Sequence, residues 1–177
     1  MFISPDYSRR SLRERRQPRG DSPSIRRERR DDRRVIELVA REFTVDVSIH
    51  DAWEHLARVE RWTSWATHIK RVALEPPGPL TDASAGVFRL AGGARSTFRM
   101  EIYDPPQRWQ WVGRFLTTKV HYDHRFEPVD SDHTRLIWTV AAEGPGSGTL
   151  GRVFGAIYAR NLDKAIPNLQ AELPPRA

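Results

Sequence analysis

Apolar and polar residues follow two different periods along this chain. From Thr149 to Leu173 apolar side chains recur at i, i+3 and i+4. Leu150, Val153, Phe154, Ile157, Tyr158, Leu162, Ala165, Ile166, Leu169 and Leu173 share one stripe, with Arg152, Arg160, Asp163, Lys164 and Gln170 opposite. That spacing predicts an amphipathic helix of about six turns. Gly144, Pro145, Gly146, Ser147 and Gly148 break the chain before it, and Pro174-Pro175 stop it. Burying each large side chain stabilises the docked helix by about 1.5–3 kcal/mol, so the rest of the chain must cover the stripe. Pro167 removes a backbone donor inside the helix and predicts a bend. Asn161 falls within the apolar stripe, where its amide needs a partner in the protein or in a ligand.

Upstream the period is two. Val35 to Val47 reads as a long first strand, with Phe43, Val45 and Val47 alternating with Thr44, Asp46 and Ser48. Ser48 and Asp51 form a near capping box, and Ala52, Trp53, Leu56 and Val59 give the helix they open its apolar face. A second short helical piece carries Trp62 and Trp65, and His68 to Leu74 resumes as strand before the loop Pro76-Pro77-Gly78-Pro79. From Gly86 onward the chain reads as a meander. Its strands are Val87–Ala91, Ser96–Tyr103, Arg108–Phe115, Lys119–Glu127 and Thr134–Ala142, joined by Gly92-Gly93, Asp104-Pro105-Pro106, Thr117-Thr118 and Asp130-Ser131-Asp132. Connections this short join antiparallel neighbours.

Alternation sorts these strands into two faces. Phe88, Leu90, Phe98, Met100, Ile102, Trp109, Trp111, Phe115, Val120, Tyr122, His124, Phe126, Leu136, Trp138 and Val140 fall on one; Arg89, Arg99, Glu101, Arg108, Arg114, Lys119, His121, Asp123, Arg125 and Arg135 fall on the other. An antiparallel sheet covered on one side has this pattern. The charged face reads as a ladder of cross-strand pairs that keeps the sheet soluble. The order of elements is strand, two short helices, six strands, one long helix. It predicts an α+β fold in which a curved, antiparallel, seven-stranded sheet wraps around the C-terminal helix. The enclosed face is rich in aromatic residues and poor in polar ones, a composition shared by ligand pockets and by packed cores.

Composition refines this picture at the N-terminus. Residues 1–34 hold twelve of the 29 basic and six of the 23 acidic residues, so the remainder carries 17 of each and has no net charge. The tail is rich in Arg, Ser, Pro and Asp with few apolar residues, and is expected to be disordered. Three readings stand for it: an inert arm, a native start near Val35, or a weak contact with nucleic acid or another polyanion. The domain is expected to span residues 35–177. No apolar run approaches the ~18 residues that span a membrane, and no secretory h-region opens the chain, so a cytoplasmic location is expected. Cysteine is absent, which excludes disulfides, thiolate metal sites and cysteine nucleophiles. The glycines at 144–148 lack the Lys-Ser/Thr of a phosphate loop. His50, His55, His68 and His133 show no ligand spacing and read as surface residues. His121 and Asp123 supply at most two ligands on an exposed face. No metal site or cofactor is expected.

Several stretches resemble the START-related helix-grip superfamily (SRPBCC), and within it the polyketide cyclase/dehydrase-like branch. They are Ile49-His50-Asp51-Ala52-Trp53-Glu54-His55-Leu56, Trp62-Thr63-Ser64-Trp65, the run from Met100 to Trp111, Thr134-Arg135-Leu136-Ile137-Trp138, and the terminal helix. The resemblance covers residues 40–173. It implies a helix-grip fold whose members bind hydrophobic or aromatic molecules such as lipids, sterols, quinones and polyketides between helix and sheet, some cyclising or dehydrating polyketides. A small hydrophobic molecule is therefore the expected partner, with nucleic acid reached only through the Arg-rich tail. His124, between Tyr122 and Phe126 on the apolar face, is the candidate general acid or base, or else a core histidine bonded to a backbone carbonyl. Tyr122, Tyr158 and Asn161 can position a ligand oxygen or serve the core. Trp65, Phe98, Met100, Trp111 and Trp138 can line a pocket wall.

Overall fold

The computed structural model describes residues 35–115, 118–144 and 147–173. The tail 1–34, Pro145, Gly146, Thr117, Pro174-Pro175 and the side chains of Phe115 and Leu150 lie outside the described residues. Seven strands run antiparallel in one open, curved sheet: β1 (Ile36–Val45), β2 (Ile69–Glu75), β3 (Ala85–Leu90), β4 (Arg95–Asp104), β5 (Arg108–Phe115), β6 (Thr118–Pro128) and β7 (Thr134–Glu143), in the order β1-β7-β6-β5-β4-β3-β2. Only β1 departs from sequential neighbours. Its long connection to β2 carries α1 (Ile49–Ala57) and a 3-10 helix at Val59–Thr63, and the long helix α2 (Thr149–Glu172) follows β7. The fold class and the order of elements match the expectation from periodicity.

Local chemistry explains the ends of these elements. The Ser48 hydroxyl accepts the Asp51 N–H at 3.3 Å and donates to the Asp51 carboxylate at 2.6 Å, closing the N-terminus of α1. Gly92 and Gly93 take φ of +89° and +86°, and the Leu90 N–H donates to Ala94 O across them, so the β3–β4 turn uses a conformation that glycine alone adopts cheaply. In the loop after β2, Leu80 is fully buried; its N–H donates to Ala57 O and its carbonyl accepts the Tyr103 hydroxyl at 2.7 Å.

One strand departs from simple alternation. A bulge in β4 between Met100 and Ile102 shifts the register, so that Ile102 faces Gln110 and Tyr103 faces Trp109. Past the bulge Tyr103 points inward, its ring 5.6 Å from Trp53, and Ile102 moves to the Gln110 side. The inward place expected for Ile102 is thus corrected: one inserted residue exchanges the two faces for everything beyond it.

The largest correction concerns α2. The helix packs chiefly on β1, and its closest approach uses glycine. A Cβ on Gly155 would lie 3.1 Å from Leu38 Cβ, and one on Gly151 would lie 3.2 Å from the Leu38 side chain. Leu162, Ala165, Leu169 and Leu173 complete the buried face. Arg41 holds Asp163 at 2.8 Å and Gln170 donates to Thr44 O at 2.8 Å on the β1 side; Asn168 donates to Trp65 O at 3.1 Å on the other. Val153 and Ile157, expected on the buried stripe, are instead more than half exposed. The two glycines draw the first half of the helix onto β1 by their own face and turn these aliphatics outward.

Candidate functional site

The inner face of the sheet carries an aromatic wall centred on His124. Along β6, Val120, Tyr122, His124 and Phe126 are all buried, as alternation on a one-sided sheet requires. Register sets His124 against Trp109 of β5 and Trp138 of β7. Its ring centroid lies 4.8 Å from Trp111, 5.3 Å from Trp109, 5.4 Å from Trp138 and 5.9 Å from Trp62 of the 3-10 helix. Burial pushes the imidazole down to about 4, against weaker opposing pulls from the Asp123 carboxylate and the Tyr122 carbonyl. His124 is therefore neutral at pH 7.

Several polar atoms on this wall are left without partners. The Trp62 indole N–H donates to Leu56 O at 2.9 Å. The Nε1 atoms of Trp65, Trp109 and Trp138 are buried, with no hydrogen bond among the described residues; His124 Nδ1 is buried too and has no well-aligned hydrogen bond, although the Tyr122 carbonyl lies near enough to pull on the imidazole. Their rings form a continuous row, Trp65 to Trp138 at 5.9 Å, Trp138 to His124 at 5.4 Å, and His124 to Trp109 at 5.3 Å. Leaving a buried donor unpaired costs about 1–3 kcal/mol, and an indole nitrogen can only donate. Such a row suits a molecule that is apolar overall and carries acceptor atoms.

A more polar group of residues lies where α2 faces the start of β2. Successive helix residues are rotated by about 100°, so Phe154, Ile157 and Asn161 fall on the Asn168 flank of α2, away from β1. Tyr158, between that flank and buried Leu162, meets Tyr122 at 5.6 Å, stacks on Phe154 at 5.8 Å and meets His68 edge-on at 6.4 Å. Tyr158 keeps part of its ring at the surface, yet burial lifts its hydroxyl well above the ordinary phenol range, and the Tyr122 hydroxyl adds to the effect. Tyr122 is raised too, chiefly by burial, with Ser96 opposing by a hydrogen bond. Both phenols stay protonated and can donate. Asn161 is half-buried, and its amide has no hydrogen bond among the described residues.

The remaining expected residues join the wall without reaching His124. Phe98 and Met100 are buried on β4, and Phe98 touches Trp111 at 5.0 Å and Phe88 at 4.8 Å. His68 and His55 are not the surface residues expected. Burial lowers both imidazoles: His68 lies beside Tyr158, and His55 lies on α1 with Nε2 at 3.5 Å from the Glu172 carboxylate at the end of α2. Their sequence surroundings are ordinary, and only the return of α2 covers them.

The opposite face of the sheet holds an open concavity of about 380 Å³ beside Arg108, His121, Asp123, Arg125 and Glu143. Its charges satisfy one another. Asp123 takes Arg108 at 2.8 Å and Arg125 at 2.9 Å, and His121 lies 3.3 Å from Glu101 and 3.1 Å from Glu143. This is the cross-strand ladder expected of a solvated face. Among the described residues no group of three His, Asp or Glu can hold a metal ion, and no helix is long and apolar enough to cross a membrane.

Comparison with known proteins places this architecture. The profile of a family described as "Polyketide cyclase / dehydrase and lipid transport" matches residues 38–173. The structure is similar to the Zhui aromatase/cyclase from Streptomyces sp. R1128, with a TM-score of 0.61 at 16% identity, covering 79% of this chain and 94% of that one. It is similar also to a START superfamily protein from Mycobacterium smegmatis, with a TM-score of 0.57 at 16% identity, covering 77% and 98%. A hypothetical protein of Helicobacter pylori gives a TM-score of 0.65 at 14% identity, covering 93% and 100%. At these identities the likeness is one of fold. No curated protein matches the chain.

Proposed function

This chain belongs to the polyketide cyclase/dehydrase and lipid transport family, and from that footing we propose that it binds one small hydrophobic or aromatic molecule between α2 and the inner face of the sheet. The observation that carries the reading is a set of unpaired indole donors, the Nε1 atoms of Trp65, Trp138 and Trp109, on rings that line an otherwise apolar wall around His124. A lipid, quinone or polyketide-like molecule would set an acceptor oxygen against one of these indole donors and bury its own apolar surface against Trp111, Phe98 and Met100. Tyr122, Tyr158 and Asn161 would meet its more polar end.

The state of His124 bears on whether the protein carries its ligand or converts it. Acid–base catalysis works best with a group that titrates near the working pH. An imidazole held down near 4 is a weak base at pH 7 and has no imidazolium proton to give. A buried, neutral His124 supports a binding protein over a cyclase or dehydratase that uses His124 as general acid and base.

Native mass spectrometry of the protein purified from its own host, beside a denatured sample, tests this. A mass excess released on denaturation is the expected result and names the ligand class. A protein that is empty and also refuses fatty acids, quinones and aromatic polyketides overturns the reading. If the released compound is instead turned over by the wild type and not by His124→Ala, the protein is an enzyme and His124 its acid or base.

A further inference from the structure

The exposed side of α2 is not an ordinary polar helix face. Among the described residues four large aliphatic side chains are more than half exposed, and two of them, Val153 at 59% and Ile157 at 58%, lie one turn apart on this helix. At about 100° per residue, Arg160 and Lys164 continue the same line toward the C-terminus, and both are exposed. Neither of these two cations has a carboxylate partner among the described residues, whereas Asp163 nearer β1 is held by Arg41 at 2.8 Å. The line is thus a ridge one helix wide, aliphatic in its first half and cationic in its second.

Each half of that ridge matches one layer of an anionic bilayer surface. Aliphatic side chains enter the boundary of the acyl region, and unpaired Lys and Arg meet lipid phosphates. A protein partner would draw its affinity from aromatic or Arg anchors seated in desolvated pockets, and along this ridge Arg160 alone is of that kind. A soft surface accommodates a ridge without needing a matching shape. Phe154 and Tyr158 border the ridge and lead toward Tyr122, so a docked domain would hold that flank of α2 against the lipid.

We propose that Val153, Ile157, Arg160 and Lys164 form a reversible docking site for anionic membrane surfaces. This stands apart from ligand binding inside the domain. The test is co-sedimentation of the full chain with vesicles of phosphatidylcholine, with and without about one quarter phosphatidylglycerol. The expected result is binding to the anionic vesicles that weakens as salt is added. It should fall roughly tenfold in a Val153→Ser/Ile157→Ser double variant and about fivefold for each of Arg160→Gln and Lys164→Gln. These side chains are exposed, and denaturant unfolding confirms that each variant keeps its fold.

Three results overturn the proposal. The wild type does not bind anionic vesicles; or the aliphatic and both Gln variants bind them unchanged, which assigns the binding to the N-terminal arginines; or neither wild type nor variants bind and the aliphatic variant loses self-association, which assigns the ridge to a second copy of the chain. Native mass spectrometry of the same variants reads interior occupancy separately, so a failure of docking is not mistaken for a failure of ligand binding.

Discussion

His124 shows how much a single residue depends on its enclosure. Burial among indole rings drops its pKa from 6.5 to about 4. Between those values the unfolded chain binds a proton that the folded chain refuses, so stability rises with pH. The contribution of His124 is complete above about pH 6.5 and is lost as pH falls toward about 4, a span worth about 3 kcal/mol. Burial lowers His55 and His68 in the same direction, so the diagnostic quantity is the difference between wild type and His124→Leu. Urea unfolding across this range should give a steeper pH dependence for the wild type. Equal slopes would mean that the imidazole reaches solvent and that the wall around it is open.

At the scale of elements, the seat of α2 on β1 decides what the helix exposes. Glycine inside a helix costs about 1 kcal/mol relative to alanine, so its presence at positions 151 and 155 needs a packing reason, and contact with Leu38 provides one. At Gly155 an added methyl would lie 3.1 Å from Leu38 Cβ and 3.2 Å from Leu38 O. Gly155→Ala therefore sets a propensity gain against crowding and should change stability by less than about 1 kcal/mol. Gly155→Leu gains similar propensity but cannot fit, and should cost about 1–3 kcal/mol, seen as a loss of several degrees in Tm. If both variants unfold like the wild type, α2 does not rest on Leu38, and the exposure of Val153 and Ile157 loses its explanation.

The molecule as a whole divides by charge at residue 34. All of the excess positive charge, +6, belongs to residues 1–34. Deleting them should leave Tm unchanged, because among the described residues the first strand begins at Ile36 and packs on β7. It should also move the solubility minimum to near neutral pH, since a protein without net charge self-associates most readily. Precipitation assays at low salt and thermal unfolding of the shortened chain check both halves. A fall in Tm of more than a few degrees would make the arginine-rich segment part of the fold.

The one-dimensional pattern determined the kind and order of the elements, because periods of 2 and 3.6 follow from backbone geometry alone. It likewise placed His124, Trp111, Tyr122 and Trp138 on one face, since alternation fixes a side chain's face once its strand is known. It failed where one residue of register or one helix rotation decides the outcome. A single bulge exchanged Ile102 and Tyr103, and two glycines turned Val153 and Ile157 away from the sheet. Only the tertiary structure brought His68 to Tyr158 and left the indole nitrogens of Trp65, Trp109 and Trp138 unpaired around His124. Those relations join positions far apart in the chain, and a partner that is missing in space leaves no mark on local periodicity.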